Sequence, residues 1–330
     1  MSDSLRTAQI LSAQNAPALG ASVVYDIPRT ADLEALHIAL TGTIQLTTGA
    51  TAIITDGICN IIESVDLITN GGRDVIASLK YSDLVQGNIF RRKHGKVPTL
   101  TQVGVGIAVH AFEVNAVLDM AAFGALRPKD SNLRENNYES LQLKLRFASD
   151  WTGVYTGGGF VATTFAPTLV VSTQETIELP DAAGKYSSPS LRPLMTSNDI
   201  TLSGATNNHQ FKLTPNQLLR GLVIKVTTNA SPQVLSDALL SRIRVNVGKV
   251  QRLSLTSAAI KAQMKDMSAT ANLTGYYFVD LADGRGSPDK LSDTLDLTAG
   301  QTNGADSVVE IDTSAAAIVS VVQFGYVPIV

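Results

Sequence analysis

The feature that most constrains the fold of this chain is an internal repeat. Residues 33–41, Leu-Glu-Ala-Leu-His-Ile-Ala-Leu-Thr, line up with residues 219–227, Leu-Arg-Gly-Leu-Val-Ile-Lys-Val-Thr. Each run has the texture of a strand passing into a Thr-rich turn. Further on, Val65 and Leu67 match Ile243 and Val245, Gly72 matches Gly248, Ser78 and Leu79 match Ser254 and Leu255, and Leu84 matches Ile260. The offset drifts from 186 (Leu36 to Leu222) to 178 (Val65 to Ile243) to 176 (Gly72 to Gly248), as changes of loop length between fixed strands would produce. Both copies then reach a helix-like stretch, 81–86 and 257–264. Chance likeness between two segments of biased composition is the competing reading. Matched order, spacing and turn placement over some fifty residues count against it. A repeat of well over a hundred residues is too long for a solenoid unit or a propeller blade, so it implies two copies of a whole domain.

The local texture says which kind of domain. Leu36, Ile38 and Leu40 alternate with His37, Ala39 and Thr41, the two-residue period of a half-buried strand. Leu141, Leu143, Leu145 and Phe147 alternate with Gln142, Lys144 and Arg146, and Ile243, Val245 and Val247 with Arg242, Arg244 and Asn246. Gly-, Thr-, Asn- and Asp-rich stretches at 41–51, 69–73, 152–159 and 280–289 read as turns and loops. Many short strands with few helices predict an all-β chain of paired sandwiches or barrels. Apolar residues make up 44% of the 330 and charged residues 17%, enough for packed cores and too little charge for a disordered tail.

Residues 180–193 hold Pro180, Gly184, Pro189 and Pro193 with little apolar content, and predict an extended linker. The expected organisation is an N-terminal arm over 1–21, a first domain over 22–179, a linker over 180–197 and a second domain over 198–330. Leu5, Ala8, Ile10 and Leu11 among polar neighbours predict a short amphipathic helix or arm, set off by Pro17 and Gly20. The first residues lack the basic-then-apolar build of a secretory signal, and no run reaches a bilayer-spanning length. A soluble protein that folds in a reducing cytoplasm is the expectation. A single cysteine, Cys59, excludes an internal disulfide framework and a cysteine-rich zinc site.

At residues 219–229, Leu-Arg-Gly-Leu-Val-Ile-Lys-Val-Thr-Thr-Asn, then 236–248, Ser-Asp-Ala-Leu-Leu-Ser-Arg-Ile-Arg-Val-Asn-Val-Gly, then the helix-like 257–264, the sequence resembles the double jelly-roll major capsid proteins of tailless, internal-membrane-containing icosahedral phages. It is most similar to the corticovirus and finnlakevirus type, within the wider tectivirus and adenovirus-hexon lineage. The resemblance spans roughly 25–330 and rests on strand-and-turn texture plus duplication. It implies two tandem jelly-roll β-sandwiches with short helices in the connections. It further implies a homotrimeric, pseudo-hexagonal capsomer in an icosahedral virion shell around an internal membrane. The implied partners are the chain itself, penton or other minor capsid proteins, and lipid or membrane proteins at the capsomer base, with no specific nucleic-acid recognition.

The chain carries little recognisable chemistry. There is no Gly-x-Ser-x-Gly elbow, no His-Glu-x-x-His and no Walker-type loop. Gly104 and Gly106, within the strand-like 103–109, read as glycines easing a bulge and not as a nucleotide fingerprint. His37, His94, His110 and His209 lack metal-ligand spacing, and Cys59 reads as a small buried hydrophobe. Arg91, Arg92, Lys93 and Lys96 form the densest positive patch; a solvated or salt-bridging loop is preferred over contact with phosphate. Asp280, Asp283, Asp289 and Asp293 around Gly284 and Gly286 offer oxygen ligands for Ca²⁺, but the spacing matches no known calcium loop, and turn formation is preferred. Leu5, Ile10 and Leu11 are the candidates for membrane or neighbour contact. No cofactor is expected beyond that weak Ca²⁺ candidate.

The resulting expectation is a structural capsid subunit with no catalytic or cofactor residues. A β-sandwich adhesin or spike-type binding protein is the alternative. A carbohydrate-active sandwich enzyme is disfavoured by a single tryptophan, Trp151, and 5% aromatic residues. Net charge −3 and a pI near 5.8 do not suit a polyanion binder.

Overall fold

The computed structural model describes residues 4–11, 17–91, 100–120, 132–157, 159–178, 191–230, 233–248, 250–267, 274–281, 295–297 and 306–328. The chain divides into two compact units that change over between Pro193 and Leu194.

In the first unit, strands β1 (Ser4–Leu11), β2 (Ser22–Asp26), β3 (Asp32–Thr48), β4 (Ala52–Ile53), β5 (Ile62–Thr69) and β6 (Asp74–Leu79) precede helix α1 (Tyr81–Arg91). Strands β7 (Leu100–Thr101), β8 (Val109–Asp119), β9 (Leu133–Arg134), β10 (Leu141–Phe147), β11 (Tyr155–Thr156) and β12 (Val161–Glu178) follow. One sheet has the order β1-β12-β3-β8, with β7 beyond β8 and β9 also on β3; strands β6-β5-β10-β2 pair in that order on the other side. Setting aside the two-residue strands and counting the rest along the chain, the two orders read 1-8-3-6 and 2-7-4-5. Successive long strands thus switch sheets until the hairpin β5–β6, which is the winding of a jelly roll.

The second unit uses β13 (Leu191–Leu202), β14 (Thr206–Lys212), β15 (Leu218–Thr228), β16 (Leu240–Val247) and β17 (Val250–Thr256), then α2 (Ser257–Met267). It is completed by β18 (Tyr276–Asp280), β19 (Leu295–Asp296), β20 (Val308–Thr313) and β21 (Ala317–Pro328). Its strands pair as β13-β21-β15-β18 and β14-β20-β16-β17. The same count again gives 1-8-3-6 and 2-7-4-5, with a helix again between the fifth and sixth strands. The two units are therefore two jelly rolls of one topology, and the sequence repeat falls where it should. Leu36 and Leu222 lie on the third strands, Val65 and Ile243 on the fourth, Leu79 and Leu255 on the fifth, and Leu84 and Ile260 on the helices. Gly72 and Gly248 both sit at positive φ in the fourth-to-fifth turn, where a side chain would be strained.

Alternation builds the cores. On β10, Leu141, Leu143, Leu145 and Phe147 are buried while Lys144 and Arg146 face out; on β16, Ile243, Val245 and Val247 are buried. At ~1.5–3 kcal/mol per fully buried large aliphatic or Phe side chain, such rows hold each sandwich shut. Trp151 meets Phe165 edge-on at 5.1 Å, and Phe112 and Phe147 approach the same ring.

Four expectations are corrected. The N-terminal segment is no helix: residues Ser4 to Leu11 form β1, paired in antiparallel register with β12 from Glu178 to Val171. Eight residues with mixed polarity fit either period, and an isolated helix that short is marginal, whereas β12 offers a whole row of backbone partners. The 180–197 linker is already strand from Leu191 onward, while 179–190 lie outside the described residues. The turn expected at 41–51 begins only after Thr48, because β-branched threonines suit a pleated surface as well as a turn. Residues 103–109 are mostly loop, with Val109 opening β8. There the backbone passes so close to neighbours that a Cβ on Gly104 would lie 2.5 Å from the His110 ring, and one on Gly49 would lie 2.9 Å from the Val105 carbonyl.

Candidate functional site

Among the described residues, those singled out in the sequence do not converge. His37 sits on β3 with Nε2 3.4 Å from Gln174 Oε1, His110 packs against the Gly106 carbonyl at 2.7 Å, and His209 stands edge-on to Phe211. Cys59 is fully buried. His94 lies outside the described residues. Of the basic patch, Arg91 ends α1, while Arg92, Lys93 and Lys96 lie outside the described residues. Asp280 closes β18 with Arg220 at 3.9 Å; Asp283, Asp289 and Asp293 lie outside the described residues. Among the described residues no group of three His, Cys, Asp or Glu side chains is placed to hold a metal ion. Leu5 belongs to β1. Ile10 is 77% exposed, but Leu11, on the opposite face of the strand, is buried. Leu11 is thereby corrected from a contact residue to a core residue.

The structure builds polar clusters that sequence reading missed. In the first unit, a bulge at Gln174 and Glu175 leaves Glu34 of β3 without an opposite residue. Its nearly buried carboxylate takes hydrogen bonds from Gln174 Nε2 (2.5 Å), from the Thr176 hydroxyl and from Arg6 Nε (3.3 Å). One side chain thus ties β1, β3 and β12 together; the exposed Arg6 adds little, since solvent screens it. In the second unit, Arg244 of β16 lies between Glu310 (3.0 Å) and Asp312 (2.6 Å) of β20 and also donates to the Asn208 side chain. In the sequence Arg244 shows only as the polar position of an alternation. Its pairing with two carboxylates across strands could be found only from the register.

The remaining surface features suit contact better than catalysis. Val105, Ile107, Val109 and Val161 are exposed at one end of the first sandwich. Backbone bonds from Leu46 to Ala108 and from Ala50 to Val105, and the pairing of Thr48 with Val161, bring that end together. Clustered exposed aliphatics of this kind mark interaction surfaces. A groove of about 400 Å³ on the outer face of the second unit is lined by Gln210, Lys212, Asn246, Gln251, Asp306 and Glu310 among others. It brings together carboxylates, amides and one ammonium group, without a nucleophile set beside a base.

Comparison with known proteins agrees with this geometry. No protein-family model matches the chain, and no curated protein matches it either. Solved structures do match, over the whole length. The fold is the double jelly roll of viral major capsid proteins. The chain is similar to the STIV MCP, of Sulfolobus turreted icosahedral virus, with a TM-score of 0.74 at 11% identity, covering 98% of this chain and 97% of the other. It is also similar to the major capsid protein P2 of bacteriophage PM2, with a TM-score of 0.64 at 13% identity, covering 99% and 98%. A third match is the PBCV-1 virus capsid, with a TM-score of 0.67 at 11% identity, covering 99% and 94%.

Proposed function

We propose that this chain is a major capsid protein: a structural, non-catalytic subunit whose homotrimers form pseudo-hexagonal capsomers of an icosahedral virion shell. The observation that carries the reading is the duplication. Two jelly rolls of identical strand order in one chain give a trimer six similar sandwiches, so one gene product supplies six near-equivalent edges to a closed symmetric shell. Full-length likeness to capsid proteins supports the same reading. Lateral contacts between capsomers, contacts with penton or other minor capsid proteins, and an internal membrane under the capsomer base belong to the proposal. Exposed Ile10 on β1 and the aliphatic cluster around Ile107 are the contact residues it favours. For the basic residues Arg91, Arg92, Lys93 and Lys96 no contact with phosphate is proposed, and no specific nucleic-acid recognition either.

The test is electron microscopy of the purified protein together with light scattering. The reading expects hexagonal particles and a mass three times the 34.9 kDa of one chain. Monomer alone at micromolar concentration would overturn it.

A further inference from the structure

One end of the first sandwich buries two carboxylates, with no cation among the described residues to answer them. On β3, Leu33 stands opposite Glu175 of β12 on one side and opposite Leu133 of β9 on the other. Directly opposed residues of antiparallel strands share a face, so Glu175, Leu33 and Leu133 form a row on the buried side. Glu135 follows two residues after Leu133, in the 3-10 turn Glu135–Asn137. Both glutamates are fully buried. Glu175 Oε1 accepts a 2.5 Å hydrogen bond from the Thr173 hydroxyl, but Glu175 Oε2 and both Glu135 oxygens have no hydrogen-bond partner.

The groups facing Glu135 can be named element by element. From β12 comes Glu175, and from the start of β3 comes Asp32, which pairs with Arg134 of β9 at 3.5 Å. The backbone amides of Ala31 and Thr30 turn toward the carboxyl and favour its charge without forming well-aligned hydrogen bonds. Burial first, and the charge of Glu175 second, outweigh those amides and push the Glu135 carboxyl from its ordinary 4.5 up to about 8.

We propose that Glu135 carries a proton against the Glu175 carboxylate and thereby acts as a pH-operated latch, holding residues 133–137 on the end of β3. A proton on Glu135 removes a like-charge pair from an apolar site in which three carboxylate oxygens lack a well-aligned donor. The segment is held besides by two ladder positions, Asp32 with Arg134 and Leu33 with Leu133, by the Asp32–Arg134 ion pair and by the buried Leu133 side chain. Loss of the proton leaves two buried charges that are relieved when the 133–137 segment lifts away. That exposes the edge of β3 at Asp32 and Leu33, which β8 does not cover, because its pairing with β3 begins at Ala35.

The sign follows from the raised value. The open segment binds its proton with the ordinary affinity and the closed one more tightly. Closure is therefore favoured most at acid pH and weakens as pH rises from about 4.5 to about 8, levelling above that. One linked proton gives up to about a tenfold loss of protection per pH unit across that window.

Hydrogen–deuterium exchange of the full-length protein, corrected for intrinsic rates, tests this in peptides covering 28–36 and 132–138. Protection in these peptides should fall with pH across the window, while β10 and β16 hold theirs. Glu135→Gln keeps the shape and supplies a permanent donor, and should make the same peptides protected and pH-independent. If wild-type protection is flat from pH 5 to 9, or Glu135→Gln keeps the wild-type pH profile, the latch is wrong. Millimolar Ca²⁺ is the last arm. Unchanged protection supports a proton site; restored protection at pH 9 would show a cation site instead and overturn the proposal.

Discussion

Asn88 on α1 and Met264 on α2 stand at matching places in the two copies, 176 residues apart like Gly72 and Gly248. Each side chain reaches back to the sixth strand of its own jelly roll. Asn88 is fully buried, donates to the Val117 carbonyl at 2.9 Å and accepts from the Val117 N–H at 2.8 Å, completing the ladder of β8 as a neighbouring strand would. Met264 offers only its sulfur to the Phe278 N–H, at 3.4 Å. The same position thus satisfies two backbone groups in one copy and one, weakly, in the other. Asn88→Leu should cost about 2–5 kcal/mol, because two buried backbone groups lose their partners. Met264→Leu keeps volume and apolarity and should cost less than about 1.5 kcal/mol. Denaturant unfolding of the two variants measures both, and equal losses would contradict the ladder role given to Asn88. Gly42→Ala is a second test at this scale. Its Cβ would fall 2.4 Å from the Ala166 carbonyl oxygen, and the forced separation of β3 from β12 should cost about 1–3 kcal/mol.

Strand β1 protects an edge of the first sandwich. Between Val171 and Glu178 it covers one edge of β12, and among the described residues nothing pairs with that edge over 161–170. Pro167 is tolerated there because no ladder bond to a further strand needs its missing N–H. Deleting residues 1–18 should uncover eight more residues of edge, lowering the melting temperature and promoting concentration-dependent association. Calorimetry and light scattering of the truncated chain would show this; an unchanged melting temperature and a clean trimer would return β1 to the status of a detachable arm. Ile10→Asp separates folding from assembly. With 77% of its surface exposed, Ile10 should change folding stability by no more than about 0.5 kcal/mol, while the yield of capsomers or particles falls if its face is a contact surface.

At the scale of the whole molecule, the proposal rests on copies meeting. A stable trimer of this kind should bury well over the ~800 Å² per partner of a standard interface. The exposed aliphatic residues Val105, Ile107, Val109 and Val161 give a place to look for part of it. Ile107→Asp combined with Val109→Asp should lower self-association with the circular dichroism spectrum unchanged, as measured by sedimentation velocity. Retention of full association would move the contact elsewhere on the surface.

Sequence alone determined the all-β class, the duplication and the identity of most core rows. Two-residue alternation is a direct imprint of one buried face, and a repeated order of strands survives changes in loop length. Leu141 to Phe147 and Ile243 to Val247 were legible for that reason, as were the helices beginning at Tyr81 and Ser257. Pairing between residues far apart in the chain is fixed by the fold and leaves no local trace. Residues 4–11 carry a pattern compatible with helix or strand, and the free edge of β12, 160 to 174 residues away, settles the matter through backbone hydrogen bonds. The polar clusters were invisible for the same reason. Glu34 needs the bulge opposite Gln174, Arg244 needs β20 as its neighbour, and Glu135 meets Glu175 only because β9 and β12 flank the same two residues of β3. One signal was present: Glu175 shares its strand face with Val171 and Thr173, and a carboxylate in an inward row asks for a partner or a proton. Which of the two it finds depends on what the fold places beside it, and that is a property of the folded chain and not of the local sequence.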